Sequence, residues 1–534
     1  MTSSPLRPLS AAGVGHPAVR HRRIRDFTAI GLAGSISSLT ALGIVVAMPD
    51  ASVANIVLVL AAIIGAVGVV ALAASSRLEV TVTMLTLFLL LILGPVKLGL
   101  GGGELSHGLD DVLIAAICLG ALMRLVVRRE PVKLPPLSGW VLVFAATVAL
   151  EAFNPNTGGI LKDLGGFRQQ LQFVPFFFFG YVLVRSKRRF RQLFLLVGVC
   201  ALANGVVASY QTTLSPAQLA QWGPGYRLLF QPSSLGLNPA GARTYSSEGE
   251  ARARPLGLGP DSGFSGGVGL IALPFCLALL ATWRSRRRWV AAVLALGAMV
   301  GVVTGLGRLQ VVGAVLALIA FAALARLGGR RFGRAFAAVL TVAVLAVPLG
   351  VAFVSVLPSG TFSRYGSFEK DSATQIATHK SAAWTKIPHF IARAPFGIGL
   401  GTVGSVGQFG GLSTLQEEGR GAGSETQYNL IVDELGAPGL LVYIALLVSI
   451  VTLVVRGLRR VRDSELATLL AGLFAPFIAL IFMGFSGPLS TSDVLGPYFW
   501  FAIGMAAYWL AGPGRDSAAQ TPSRKPASST AVVA

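Results

Sequence analysis

The stretch from Arg284 to Arg331, RSRRRWVAAVLALGAMVGVVTGLGRLQVVGAVLALIAFAALARLGGRR, carries the pattern that decides the fold. Arginine clusters bracket an apolar run, and a single arginine, Arg308, interrupts it between Gly307 and Leu309. A helix needs about 20 apolar residues to cross the hydrocarbon core of a bilayer. The run is too long for one crossing and suits two. The spacing therefore predicts antiparallel membrane helices over 289–305 and 308–325, joined at Gly305-Leu306-Gly307. Glycine at 305 and 307 lets the backbone turn tightly. The turn falls on the side away from the arginine clusters, so Arg308 is a cation where cations are scarce.

The same pattern recurs along the 534 residues, of which 53% are hydrophobic and 13% charged. A soluble domain carries roughly 25% charged residues, and mean hydropathy here is +0.70. The fold class expected is all-α, a polytopic transmembrane helical bundle of about 14 spans. The spans are read at 27–47, 51–74, 79–100, 110–127, 137–153, 170–185, 191–210, 263–283, 289–305, 308–325, 336–357, 436–455, 465–485 and 496–512. The short alternating segments of a membrane β-barrel are not seen. Residues 1–26 and 513–534 are polar and read as disordered cytoplasmic tails around a transmembrane domain over 27–512. The first apolar run is long and lacks a clear small-residue cleavage site, so it reads as a span and not as a cleaved signal.

A net charge of +21 raises the question of nucleic acid. The distribution argues against such a partner. Basic residues cluster between apolar runs, as in RHRRIR, RSKRRFR and RGLRRVR. With both termini inside, about 30 of the 44 Lys and Arg fall on the inner side with about 6 of the 23 acids, as the positive-inside rule requires. The chain is expected in the cytoplasmic (plasma) membrane, in contact with membrane lipids. Cys118, Cys200 and Cys276 fall in or near apolar spans without metal-like or disulfide-like spacing, and read as packing residues.

Two outward-facing loops are long, about 210–262 and about 358–435. Loops of that length are usually functional or disordered. The second holds SAAWTKIPHFIARAPF, in which Trp384, Ile387, Phe390 and Ile391 share a helical face. It is expected along the outer membrane surface, kinked by Pro388. Arg308 has possible company on the outer side: Arg168 in GGFRQQLQF, Arg252 and Arg254 in RARPLGLGP, and Arg227 and Arg243 in the first long loop. Guanidinium groups hold phosphate oxygens through paired, charge-assisted hydrogen bonds. Several at one depth would suit a diphosphate at the membrane surface. The alternative for Arg308 is that it snorkels to outer headgroups.

Four segments resemble the O-antigen ligase and O-antigen polymerase superfamily. TGLGRLQVVGAVLALIA is similar to its Ser-Arg turn and following helix, with Gly307 in place of the serine. KSAAWTKIPHFIARAPFGIGLGTVG resembles its segment with a basic residue (Lys380), Trp384, Pro395 and the glycines 397, 399 and 401. SETQYNLIVDELGAPGLLVYIALL resembles its closing motif, with Tyr428, Glu434, Gly436 and Gly439 in register. RPLGLGPDSGFSGGVGLIALP resembles the segment entering the helix after the first long loop. The likeness covers about 160–460. Glu425 stands where ligases carry His, which favours polymerase or another glycan transfer.

The resemblance implies a membrane glycosyltransferase, metal-independent and without a cofactor. Its donor would be a glycan on undecaprenyl diphosphate and its acceptor a glycan or lipid-glycan. Arg308, Arg254, Arg168 and Lys380 are the candidates to bind the diphosphate, whose charge grows as it leaves. Glu425 is the candidate base. A solvated loop carboxylate, or a partner of an outer arginine, is its alternative role. Glu434 is expected near a helix N-terminus, stabilising the dipole, and Asp261 is expected to cap the helix after the first long loop. His379 and His389 do not make a metal site by spacing. A multi-span transporter or lipid-linked glycan flippase is the alternative function. It would carry ionisable groups in mid-span and repeated halves, which are not evident here.

Overall fold

The computed structural model describes residues 66–74, 78–99, 109–128, 134–157, 159–230, 244–247, 250–328, 333, 337, 384–404, 426–489 and 492–515. The expected span at 27–47, nearly all of that at 336–357, the N-terminal tail and most of the second long loop lie outside them. The described residues fall into two compact units. In the smaller are α1 (66–74), the first part of α2 (Leu78–Gly99) as far as Leu85, and α3 (Leu109–Arg128). Val70 packs there with Ala116 and Met123. Gly120 lies against Ala73 and the Val70 carbonyl, the close approach that small residues allow between membrane helices.

The larger unit begins with the rest of α2, then α4 (Ser138–Glu151), α5 (Ile160–Leu171), α6 (Pro175–Leu183) and α7 (Lys187–Gln211). After two short helices and a hairpin come α10 (Phe264–Thr282), α11 (Arg287–Thr304) and α12 (Arg308–Leu327). A helix over 384–393, α13, precedes α14 (Gln427–Arg460), α15 (Ser464–Met483) and α16 (Leu495–Ala506). Among the described residues, α2, α7, α10, α11, α12, α14 and α15 are long and apolar enough to cross a membrane. The chain is an all-α bundle of membrane-protein character.

At the centre of the larger unit stands α10, every residue of which from Phe264 to Ala281 is buried. A helix that is apolar all round belongs in such a place. Helices α7, α11 and α15 pack about it. In lipid the hydrophobic effect does not drive helix against helix, so close packing must hold them. Glycine supplies it: Gly269 meets the Ala298 carbonyl, and Gly205 meets the backbone of Gly297 and Gly301. Phe194 of α7 and Phe275 of α10 stack with centroids 4.1 Å apart.

One expectation is corrected, and the first long loop gains structure of its own. The span at 170–185 is two helices, α5 and α6, because Pro175 has no N–H to continue α5 and instead occupies the first turn of α6. The first long loop is substantially folded. Helices α8 (Pro216–Ala220) and α9 (Pro224–Leu228) and the hairpin β1 (Thr244–Ser247) and β2 (Glu250–Ala253) follow α7. In the hairpin Tyr245 is paired with Arg252. Leu98, Leu214, Leu219, Tyr226, Ala253 and Leu256 form an apolar cluster of this cap. Gln211 Oε1 accepts from the N–H groups of Leu256 and Gly257, at 2.8 Å each, and Asn204 Oδ1 accepts from Leu258 at 2.9 Å. These bonds tie the end of the loop to α7.

The helices alternate in direction, which places the basic segments 187–191, 284–288 and 456–462 at one end. Lys187 Nζ lies 2.6 Å from Asp463, and Arg191 pairs with Glu465. The opposite end carries the starts of α10, α12, α14 and α16.

Candidate functional site

At the end opposite the basic segments, a glycine turn over 395–404 is held between α14 and the 154–170 region. The Ile398 N–H donates to the Asp433 carbonyl at 2.7 Å, and the Ala437 N–H to the Pro395 carbonyl at 2.8 Å. Asn154 Nδ2 donates to the Gly397 carbonyl at 3.3 Å. Two glycines make this possible. Gly436, at φ 64° and ψ −162°, breaks α14 internally, and a Cβ there would strike the Pro395 carbonyl. Gly401, at φ 65°, would strike the Lys162 carbonyl with any side chain. An L-residue is strained at such φ even without a neighbour. The segments carrying Pro395, Gly397, Gly399 and Gly401, and those carrying Glu434 and Gly436, are thus in direct contact.

Beneath the turn lies Glu434, fully buried. It accepts from Gln169 Nε2 at 3.0 Å and Gln170 Nε2 at 2.7 Å, both on α5. The backbone N–H groups of Gly401 and Val403 also donate to it. Glu434 stands two residues before Gly436, where α14 divides into two helices, so it lies at the start of the second as expected; it is also a buried carboxylate gathering donors. Lys162, also buried, reaches the Gly401 carbonyl with Nζ at 3.4 Å. Burial pushes its ammonium below the ordinary value, and the charge of Glu434 acts the other way. Asp433 is a second buried carboxyl beside it, and its Oδ2 meets no hydrogen-bond partner among the described residues.

Gln170 also lines a narrow cavity with Phe144, Gln427, Tyr428, Tyr443 and Trp500. The Gln170 Oε1 has no hydrogen-bond partner among the described residues. Gln427 Oε1 accepts from the Leu489 N–H at 2.8 Å, and Tyr428 OH donates to the Ile481 carbonyl at 3.0 Å. Tyr428 and Ile481 then form part of a larger, apolar groove between α13, α14 and α15. Trp384 and Ile387 of α13 and Ile444 and Val448 of α14 are among its walls. Trp384 stacks on Phe485 with centroids 4.5 Å apart. Its lining on α14 extends from Leu440 to Thr452, about 18 Å along a helix.

Arg308 opens α12 and is half-buried, as is Arg254, on the segment between β2 and α10. Gly257 and Gly305 both pack on Ser265, at the start of α10. Leu309 reaches Gly487, two residues before Leu489 and its bond to Gln427. Arg168 and Arg227 are exposed, Arg168 on the last turn of α5 beside Gln169. Asp261 does not cap α10: the cap position is Gly263, and Asp261 accepts from the Ser262 N–H instead, at 2.8 Å. Glu425, Lys380, Arg243 and His379 lie outside the described residues, and His389 is exposed on α13.

Sequence reasoning passed over Lys162, Gln169, Gln170, Gln427 and Asp433. The doubled glutamine in GGFRQQLQF was a signal, since adjacent amides in a membrane protein need buried partners. Comparison with protein families, with curated proteins and with solved structures finds no match.

Proposed function

We propose that the chain is a membrane glycosyltransferase that transfers or polymerises a polyprenyl-diphosphate-linked glycan at the outer face of the cytoplasmic membrane. One observation carries this reading. A narrow cavity carrying two glutamine amides among mainly aromatic and aliphatic walls shares Tyr428 and Ile481 with a lateral apolar groove, at the end away from the arginine clusters. A lipid-linked sugar needs both environments at once. The positive-inside rule assigns the arginine-rich end to the cytoplasm and the cavity to the outside, and both termini are proposed to be cytoplasmic. The resemblance of the glycine turn, the Arg308 turn and the α14 start to the O-antigen ligase and polymerase superfamily supports the same reading. Polymerase-like transfer is favoured by Glu425.

In this reaction an acceptor hydroxyl oxygen, from a glycan or lipid-glycan, bonds to the anomeric carbon of the donor. The bond from that carbon to the diphosphate oxygen breaks, and its electron pair leaves with the diphosphate. The hydroxyl proton passes to a carboxylate. Arg308 and Arg254, with Arg168 and Lys380, are assigned to the departing diphosphate. Each hydrogen bond to that charge contributes about 1.5–3 kcal/mol. Glu425, directly before the Thr426 cap, is assigned as the base. Glu434 is a positioning group, because the partners around its carboxylate are donors.

The test uses the full chain in proteoliposomes with a polyprenyl-diphosphate-linked oligosaccharide. New glycosidic product and released polyprenyl diphosphate are the expected result. Arg308→Ala should lower turnover by about 100-fold, the scale for removing one oxyanion donor, with an unchanged melting temperature. Movement of the lipid-linked glycan across the bilayer with no new bond would establish the transporter or flippase alternative.

A further inference from the structure

The basic end of the larger unit holds a separate concave site. Arg284, Ser285, Arg286 and Arg287 between α10 and α11, with Trp283 and with Arg191 of α7, line an open cup. Its charge is poorly balanced. Arg191 is engaged by Glu465, and Lys187 by Asp463 and Glu465. Those same two acids adjoin the 456–462 cluster in sequence. Arg284, Arg286 and Arg287 are exposed and have no carboxylate partner among the described residues. They repel one another, and Arg286 and Arg287 also face the positive end of the α11 dipole. An anion in the cup would relieve both effects through charge-assisted hydrogen bonds.

The chemistry of that anion is constrained by what lies next to the cup. One turn along α11, Trp289, Val290 and Val293 are 69%, 48% and 53% exposed. Trp289 and Val293 are four residues apart and share a face. A cationic cup that continues into an exposed apolar stripe suits an anion with a hydrocarbon tail. A soluble phosphate would use the first half of the site alone.

We propose that this cup binds the phosphate of an anionic phospholipid, with an acyl chain lying along the Trp289–Val293 stripe of α11. The site is independent of the glycan-transfer reading.

The full chain in neutral detergent is titrated with phosphatidylglycerol carrying brominated acyl chains, and tryptophan quenching is followed. Two charge-matched variants are compared: Arg284→Gln/Arg286→Gln/Arg287→Gln and Arg456→Gln/Arg459→Gln/Arg460→Gln. Saturable quenching is expected in the wild type. Zwitterionic brominated phosphatidylcholine should be weaker by about tenfold or more, which is roughly one lost charge-assisted contact. The cup variant should show the same loss, and the 456–460 variant less than about twofold. Arg286→Gln alone serves if the triple variant does not fold. Equal weakening in the two variants would reduce the cup to diffuse surface charge and overturn the proposal. Full displacement of the lipid by millimolar inorganic phosphate would overturn it in favour of a soluble-anion site.

Discussion

Glu434→Gln tests the buried knot that positions the candidate site. The substitution keeps the shape and removes the charge. Gln169 Nε2 and Gln170 Nε2 now donate to separate carboxylate oxygens, Oε1 and Oε2. An amide offers one oxygen and one NH₂, so one glutamine would face a donor with a donor. A buried polar group left unsatisfied costs about 1–3 kcal/mol, and the surviving bond weakens by about 1 kcal/mol on losing its charged partner. Lys162 would also keep its buried ammonium without the opposing charge. The expected loss is about 3 kcal/mol, bounded by the roughly 5 kcal/mol of a broken buried ion pair. Against a total stability of about 5–15 kcal/mol this is large. Tryptophan-detected unfolding in detergent measures it. Lys162→Met in the same chain should recover about half the loss, because the cation that has lost its opposing charge is removed, and the double-mutant cycle would then show coupling above about 1 kcal/mol. Destabilisation under about 0.5 kcal/mol by Glu434→Gln alone, or strict additivity with Lys162→Met, would refute the assignment of Glu434 as the centre of a charged donor knot.

Three further outcomes are expected. Gly401→Ala should lose about 1–3 kcal/mol from its positive φ, and more from the clash with the Lys162 carbonyl; Gly139→Ala, in a helix with open space around it, should gain up to about 1 kcal/mol in the same melting assay. Burial pushes the Asp463 carboxyl up, but hydrogen bonds from Lys187 and from the N–H groups of Leu466 and Glu465 outweigh it and hold the group below its ordinary value. Its contribution to stability is therefore present above about pH 4 and lost as pH falls through the lowered value; Asp463→Asn should flatten that part of the acid limb in a pH series of melts. Ile444→Trp should fill the apolar groove and raise KM for a long-chain polyprenyl donor by about tenfold, the equivalent of about 1.4 kcal/mol of tail contact, while a short-chain donor is little affected; equal effects on both would remove the tail from the groove.

The helices were largely legible in the sequence because the bilayer sets a length and the apolar runs meet it. Residues 191–210, 263–283, 289–305 and 465–485 all lie within or close to observed helices. Local chemistry that competes with the apolar pattern was harder to read. The polar run from Gln427 to Glu434 looked like a loop before a span starting at 436. It is a short helix of its own, capped by Thr426, and it ends at the break at Gly436, where the expected span begins. The position of Pro175 could have divided α5 from α6, but the phenylalanine run after it concealed the joint.

The site was legible in its parts and not in its contacts. Gly397, Gly401, Glu434 and Gly436 could be picked out one by one, yet the partner of each is remote in sequence. Gln169 and Gln170 are more than 260 residues from Glu434. No local period encodes such a pairing, because it depends on where α5 is laid down relative to the break in α14. The consequence for function is a division of labour within one residue. Gln170 gives its NH₂ to the buried carboxylate and lines the cavity, with its own carbonyl oxygen unmatched by any described residue. Fixing the amide from one side fixes the acceptor on the other. The charged knot can therefore set the direction of a cavity group without any of its charges having to enter the cavity.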